Sequence, residues 1–235
     1  MKIYKIINFL KDTIVPKKCY SCKIELCFFC EDCETKIFKF KPYCYICKKE
    51  SSNFEVHKNC QKNIYFDKII INYHYKESLI QKLIKDSKFF NRKDILEDFA
   101  VYLSENLLKN ENIFNKENYL ILPVPMNFIR KFKRWYNHSE VLAKEISRIT
   151  WINFNKNILK RVRNSIQQSK LSKKQRELNL KETFKINQKY MSELDFKKII
   201  IIDDVVSTWT TINEISTILK QSWALKIIWL CIASD

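Results

Sequence analysis

Beyond residue 65 the chain alternates between two hydrophobic periods. "YFDKIIINYHY" (Tyr65–Tyr75) is rich in Ile and Tyr and predicts one or two strands. "ESLIQKLIKDSKF" places Leu79, Ile80, Leu83 and Ile84 on one helical face, and "KDILEDFAVYLSENLLKN" repeats that spacing over a longer helix. "NYLILPVPM" predicts a short buried strand stopped by Pro123 and Pro125. "SEVLAKEISRI" predicts a helix with Ser139 as its N-cap. "KKIIIIDDV" is a fully apolar strand, "INEISTILKQS" a helix, and "ALKIIWLCIA" a last strand. Strands that are apolar on every residue cannot keep a wet face. Alternated with helices, they predict an α/β fold with a parallel sheet covered on both sides. No repeat is visible, and the organisation divides near Tyr65 into a cysteine-rich segment, 1–64, and an α/β domain, 65–235. The opening "MKIYKIINFLKDTIV" carries Lys and Asp through its apolar part and reads as an amphipathic helix, not a signal peptide. With no apolar run near the ~18 residues of a membrane span, a cytoplasmic protein is expected.

Composition adds charge. The chain has 235 residues, 46% hydrophobic, with net charge +17 and pI ≈ 9.4. Such basicity favours polyanionic partners, nucleic acid or phosphorylated ligands. Lys-rich coding from an AT-rich genome produces the same balance, since nearly the whole chain is Lys-rich. The densest stretch, Lys156–Lys181, holds nine Lys or Arg and one acid, Glu177. It reads either as a solvated face or as a contact for DNA phosphates through Lys160, Arg161, Arg163, Lys173, Lys174 and Arg176. Without aromatic platforms in that run, it would sense charge and not bases.

Before residue 65 the signal is cysteine. The pattern Cys19-x2-Cys22, Cys30-x2-Cys33, Cys44-x2-Cys47, His57-x2-Cys60 contains four paired-ligand knuckles. One knuckle aims two ligands at one metal, and two knuckles close a tetrahedral site. Four make two closed, structural zinc sites, paired sequentially in the simplest reading, with an interleaved pairing left open. A disulfide framework fits poorly without an export signal, and four tandem pairs exceed what redox chemistry needs. Cys27 is spare. So short a segment would depend on its metals to fold.

The second chemical signal is "IIIIDDVVSTWTT". Parallel sheets bind ligands beyond the carboxyl ends of their strands, and Asp203 and Asp204 stand at such an end. Adjacent carboxylates can accept hydrogen bonds from the two vicinal hydroxyls of a ribose. The loop expected from Val205 through Val206, Ser207, Thr208, Trp209 and Thr210 to Thr211, ahead of a helix starting near Ile212, offers backbone N–H groups and hydroxyls to a phosphate. His74 and His138 lack ligand spacing and read as structural.

This stretch resembles the phosphoribosyl diphosphate (PRPP) signature of type I phosphoribosyltransferases. Over nearly its full length the chain resembles the ComF family of competence proteins. The carriers are the Cys pairs, Lys88–Phe89, "LPVPM", "RWYNHSEVLA" (Arg134–Ala143), the Arg161, Arg163, Gln168, Arg176, Asn179 and Phe184 pattern, the acid stretch and the "LCIASD" end. The resemblance implies a type I phosphoribosyltransferase-like domain behind a zinc ribbon, linked to DNA uptake in natural transformation. Its expected partners are PRPP with magnesium, incoming single-stranded DNA on the cytoplasmic side, and other DNA-uptake proteins. It places Arg134, Asn137 and Ser139 near the ligand cleft and turns Lys88 toward pyrophosphate. As a transferase the domain would orient ribose through Asp203 and Asp204, and the acceptor stays unassigned. A metabolic phosphoribosyltransferase and a non-catalytic DNA-binding adaptor with a vestigial PRPP site stay open as alternatives.

One anomaly crosses this picture. The chain contains no glycine, where average usage of about 7% would give roughly 16. Four of its five tryptophans, Trp135, Trp151, Trp209 and Trp223, fall where the family usually has Gly, and Trp229 is ambiguous. Some bacteria with AT-rich genomes read UGA as glycine, and a translation that reads UGA as Trp would write such a gene in this way. Otherwise Trp209 blocks the phosphate loop.

Overall fold

The computed structural model describes residues 17–90, 92–126, 136–162, 183–206 and 209–234. The expected N-terminal amphipathic helix lies outside them.

Five parallel strands form the central sheet. They are β1 (Lys68–His74), β2 (Tyr119–Pro123), β3 (Asn153–Phe154), β6 (Lys198–Val206) and β7 (Lys226–Ser234), in the order β1-β7-β6-β2-β3. A small antiparallel ribbon, β4 (Leu159–Arg161) with β5 (Phe184–Ile186), stands apart from the sheet. The helices are α1 (Glu31–Glu34), α2 (Ser78–Phe89), α3 (Lys93–Asn110), α4 (His138–Thr150) and α5 (Trp209–Gln221).

Successive strand residues point to opposite faces, so the apolar runs divide by parity. Ile200, Ile202, Ile228, Leu230 and Ile232 join Ile84 of α2, Leu96 and Phe99 of α3, and Leu142 and Ile146 of α4 in one buried core. Ile199, Ile201, Ile227, Trp229 and Cys231 join Ile212, Ile215 and Leu219 of α5 in the other. A sheet buried on both faces needs the unbroken hydrophobicity seen in "IIII" and "IIWLCIA".

At the amino ends of the strands, Lys68 is buried with its Nζ 2.8 Å from Glu111, and Lys226 reaches the same carboxylate at 2.9 Å. Burial would raise the Glu111 carboxyl, but these two ammonium groups outweigh it and hold it below its usual value.

The cysteine-rich segment lies along the exposed edge of β1. Lys39 bridges Tyr73 and Glu55 bridges Lys68, both antiparallel, so a sheet edge that would invite pairing with another chain is covered. Its aromatic residues enter the domain's own cores. Phe28, Phe29 and Phe54 pack with α2, α3 and α4, while Val56, beside Phe66 of the following domain, packs with α5. Asp98 of α3 accepts hydrogen bonds from the backbone N–H of Phe28 (2.7 Å) and Phe29 (3.2 Å), and the Tyr73 hydroxyl donates to the buried Glu34 at 2.6 Å.

The segment is also duplicated, against the expectation of no repeat: Cys19-Tyr20-Ser21-Cys22-Lys23 and Cys44-Tyr45-Ile46-Cys47-Lys48 share four of five residues. In each half a small bridge (Lys18 to Glu25, Tyr43 to Glu50) frames a Cys-x2-Cys knuckle. The next residue, Lys23 or Lys48, takes the left-handed conformation and donates its N–H back to the first cysteine's carbonyl. Shared backbone geometry thus accompanies the shared Cys-Tyr-x-Cys-Lys residues.

Candidate functional site

The two halves gather two ligand sets. The side-chain ligand atoms of Cys19, Cys22, Cys30 and Cys33 lie within 4.8 Å of one another, and so do those of Cys44, Cys47, His57 and Cys60. The pairing is therefore sequential, and Cys27 stays outside both sets. Each group could hold one metal ion, and a thiolate-dominated set of four without an open position suits a closed structural site. Burial would raise the Cys19 thiol, yet the backbone N–H groups of Cys30, Cys22 and Ser21 win and bring it down to about 6. The knuckle thus stabilises the thiolate that a metal requires.

The acid pair sits at the carboxyl end of β6, the central strand. Its two carboxylates are held differently. Asp203 accepts hydrogen bonds from the Ser139 hydroxyl of α4 (3.0 Å) and from the Asp204 backbone N–H (2.9 Å). Asp204 forms an ion pair with Lys88 of α2 at 2.7 Å and accepts the Val205 N–H at 2.7 Å. Burial and the neighbouring Asp204 charge push Asp203 up to about 7. Burial works the same way on Asp204, but the Lys88 ammonium outweighs it and holds that carboxyl below its ordinary value. Two like charges this close ionise in sequence, and the one beside the cation ionises first.

Two expectations about this end of the strand are corrected. Val205 and Val206 are not in a loop: they extend β6, paired with Ala233 and Ser234 of β7. Their β-branched side chains suit a ladder that β7 continues to offer. The following helix starts at Trp209, not near Ile212, so Trp209, Thr210 and Thr211 form its first turn. A helix N-terminus favours an anion. Ser207 and Thr208 lie outside the described residues.

Ser139 is not the N-cap of α4. Asn137 takes that place, accepting the Ser139 N–H at 3.2 Å and donating to the Val124 carbonyl of the "LPVPM" segment at 2.9 Å. With capping done by Asn137, the Ser139 hydroxyl is free to hold Asp203. Residues alone do not reveal this division of labour. The Asn-x-Ser spacing ahead of an apolar helix is the signal that carries it.

Of the other expected site residues, Arg134 is outside the described residues, as are Trp135, Arg163, Gln168, Lys173, Lys174, Arg176 and Asn179. Lys160 and Arg161 lie on β4, Lys160 exposed and the Arg161 guanidinium 5.3 Å from the Phe184 ring centre. The ribbon is tied to α5, whose Glu214 accepts the N–H of Thr183 and of Phe184 (3.0 Å).

Missed in the sequence was an aromatic group over the same end of the sheet. Tyr45, between the cysteines of the third knuckle, stacks on Trp209 with centroids 6.2 Å apart and planes 3° apart. Phe66 meets Trp209 edge-on at 5.6 Å and 70°.

The tryptophans fall into two kinds. Trp151 ends α4 at φ 64° and Trp223 follows α5 at φ 65°, both in the left-handed region. Their side chains are 79% and 70% exposed. Trp229 is fully buried in β7 and donates its indole N–H to Ser216 at 3.0 Å.

A parallel α/β domain with an acid pair at the end of its central strand, fused to a doubled cysteine-rich module, defines the class. The chain is 34% identical to competence protein F of Haemophilus influenzae over 196 residues, 82% of this chain and 84% of that protein. It belongs to the competence protein F family. It is also 27% identical over 230 residues to DNA utilization protein YhgH of Escherichia coli K12, covering 92% of this chain and 97% of that one. Among solved structures, the allosteric regulatory enzyme of purine biosynthesis matches at TM-score 0.41 and 15% identity over 62% of this chain and 29% of its own. No family model matches the chain. Among the described residues, no helix is long and apolar enough to cross a membrane.

Proposed function

We propose that this chain is a PRPP-binding, phosphoribosyltransferase-like protein that serves DNA uptake on the cytoplasmic side of the membrane, with zinc in both cysteine groups of residues 1–64. The observation that carries the reading is the acid pair. Two carboxylates, one held by Ser139 and one by Lys88, stand near the carboxyl end of the central strand, ahead of a helix N-terminus. In that arrangement Asp203 and Asp204 accept the two ribose hydroxyls, and the first-turn N–H groups of α5, with Thr210 and Thr211, hold the 5′-phosphate. Lys88 then exchanges Asp204 for pyrophosphate oxygens, with Arg134 a second cation there. Magnesium, bound with PRPP, supplies charge neutralisation to the leaving group. Lys160 and Arg161, with Arg163, Lys173, Lys174 and Arg176 beyond the described residues, contact the backbone of single-stranded DNA. The names of the two relatives, a competence protein and a DNA utilization protein, support the DNA role. Trp209 favours the vestigial-site alternative for the chain as written, because its indole stands at the phosphate-binding turn.

The test is a titration of the full chain and of Trp209→Gly with Mg-PRPP, and separately with a single-stranded oligonucleotide across a salt series. Trp209→Gly is expected to bind PRPP, with Asp203→Asn and Asp204→Asn each weakening it by tenfold or more, on the order of a hydrogen bond to a charged group. Oligonucleotide affinity should fall linearly in log–log form with salt. A Trp209→Gly protein indifferent to PRPP refutes the ligand reading, and salt-independent oligonucleotide binding refutes the phosphate-contact reading.

A further inference from the structure

The residues that lead into α4 tie three other elements together. Asn137 donates to the Val124 carbonyl just after β2, and the Ser139 hydroxyl donates to Asp203 of β6. Tyr136, immediately before them, is buried, and its hydroxyl donates to the backbone carbonyl of Ser87 in the last turn of α2.

A helix leaves its last four carbonyls without intrahelical partners. In α2 these belong to residues Asp86 to Phe89. The Phe90 N–H takes the Asp86 carbonyl at 3.0 Å, and the Tyr136 hydroxyl takes that of Ser87, a residue that is itself fully buried. Neighbours aim the ring. The His138 ring centre lies 4.8 Å from that of Tyr136, and the Lys93 ammonium of α3 lies 4.8 Å from the same centre.

Lys88 is the next residue of α2, and its ammonium stands 2.7 Å from Asp204. That contact has about 0.5 Å to spare before it leaves the range of a good hydrogen bond. The two groups that hold the acid pair, Ser139 and Lys88, thus come from different helices, and one hydroxyl joins the backbone beside the second to the segment that begins the first.

We propose that Tyr136 is a positioning residue of the ligand site: its hydroxyl fixes the last turn of α2, and so keeps the Lys88 ammonium on Asp204 and within reach of a ligand's pyrophosphate. The pyrophosphate half rests on the PRPP reading, and the tie to Asp204 does not. The titratable groups around Asp204 are Asp203 on its own strand, Lys88 of α2, His138 of α4 and Cys231 of β7. Tyr136→Phe keeps the ring against His138 and removes only the hydroxyl, so Lys88 is the group whose position changes.

The test uses the full-length, metal-loaded chain with Trp209→Gly as parent and Tyr136→Phe as the variant. Ser104→Ala is the control: it removes another buried hydroxyl, which donates to the Ala100 carbonyl within α3. Carbon NMR of the aspartate carboxyls follows the acid pair without ligand. In Tyr136→Phe the lower of its two titration midpoints should rise by about 0.5 pH, equivalent to a roughly threefold loosening of Lys88, and Ser104→Ala should leave it in place. Calorimetric titration with Mg-PRPP should find Tyr136→Phe about three- to tenfold weaker, the range of one neutral hydrogen bond. In a Lys88→Met background Tyr136→Phe should change neither quantity further, because the tie acts through Lys88. An unmoved midpoint, or an equal loss in the Lys88→Met background, overturns the proposal. If the parent binds PRPP and Tyr136→Phe binds it equally well, this inference fails and the PRPP reading stands. If the midpoint moves only with Lys88 present and the parent does not bind PRPP, the tie stands and the PRPP reading fails.

Discussion

Trp151 and Trp223 carry a sharp prediction: replacing either with glycine stabilises the protein. Both sit in the left-handed region, at φ 64° and 65°, where a side chain's Cβ crowds the following carbonyl at about 1–2 kcal/mol. Glycine removes that strain, while its greater freedom in the unfolded chain returns about 0.4–1 kcal/mol. Little burial is lost, because at 79% and 70% exposure each indole is about as wet as in a compact denatured ensemble. The net gain is about 0.5–1 kcal/mol per site. The two positions end α4 and α5, which pack on opposite faces of the sheet, so the gains should add to about 1–2 kcal/mol. For a chain of this size that raises Tm by roughly 2–8 °C. Trp229→Gly is the control. It empties a fully buried site and strands the Ser216 hydroxyl, a loss on the order of 3–5 kcal/mol or more. Circular dichroism during urea unfolding is the suitable readout, since removing tryptophans alters fluorescence by itself. Most substitutions destabilise, so a gain from the largest-to-smallest change is diagnostic. If Trp151→Gly and Trp223→Gly both lower the urea midpoint, the glycine-slot argument is wrong. Mass spectrometry of the natural protein then addresses decoding: Gly at 151, 209 and 223 with Trp at 229 is expected, and TGG codons at the first three would end that account.

Asp203 and Asp204 should give opposite pH signatures. Asp203, raised to about 7, prefers its proton in the folded state, so its ionisation erodes stability as pH climbs from the ordinary carboxylate range to about 7. Asp203→Asn should therefore look better relative to the parent at pH 8 than at pH 5. Asp204, lowered beside Lys88, contributes stability above its unfolded value that is lost as pH falls through its folded one. Asp204→Asn should thus be destabilising at pH 7 and converge on the parent in acid, and differences that stay flat with pH in both variants would contradict the assignment. Chelating the metals should lower the calorimetric transition of the whole chain, because Cys19, Cys33, Phe28 and Phe29 belong to the core of α2, α3 and α4. A separate early transition that leaves the main one unmoved would show instead that the module melts alone.

What was legible in the residues was what only one packing can satisfy. "IIII" and "IIWLCIA" have no face to give to water, and four knuckles of paired ligands have few chemical uses. The boundaries were less legible because neighbours in space decided them. Val205 and Val206 read as loop until β7 supplied a partner through Ala233 and Ser234. Asn137 and Ser139 are both good caps, and only the position of Asp203 shows why the amide caps and the hydroxyl does not. Tyr45 was illegible for the same reason. Nothing near it in sequence shows which ring it meets, because its partner Trp209 belongs to the far end of the chain. The consequence reaches function. A metal site that holds Cys44 and Cys47 also fixes the short loop carrying Tyr45, so ligand binding at the strand end should depend on metal at the second group more than on metal at the first, whose knuckles pack on the opposite face with Phe28 and Phe29.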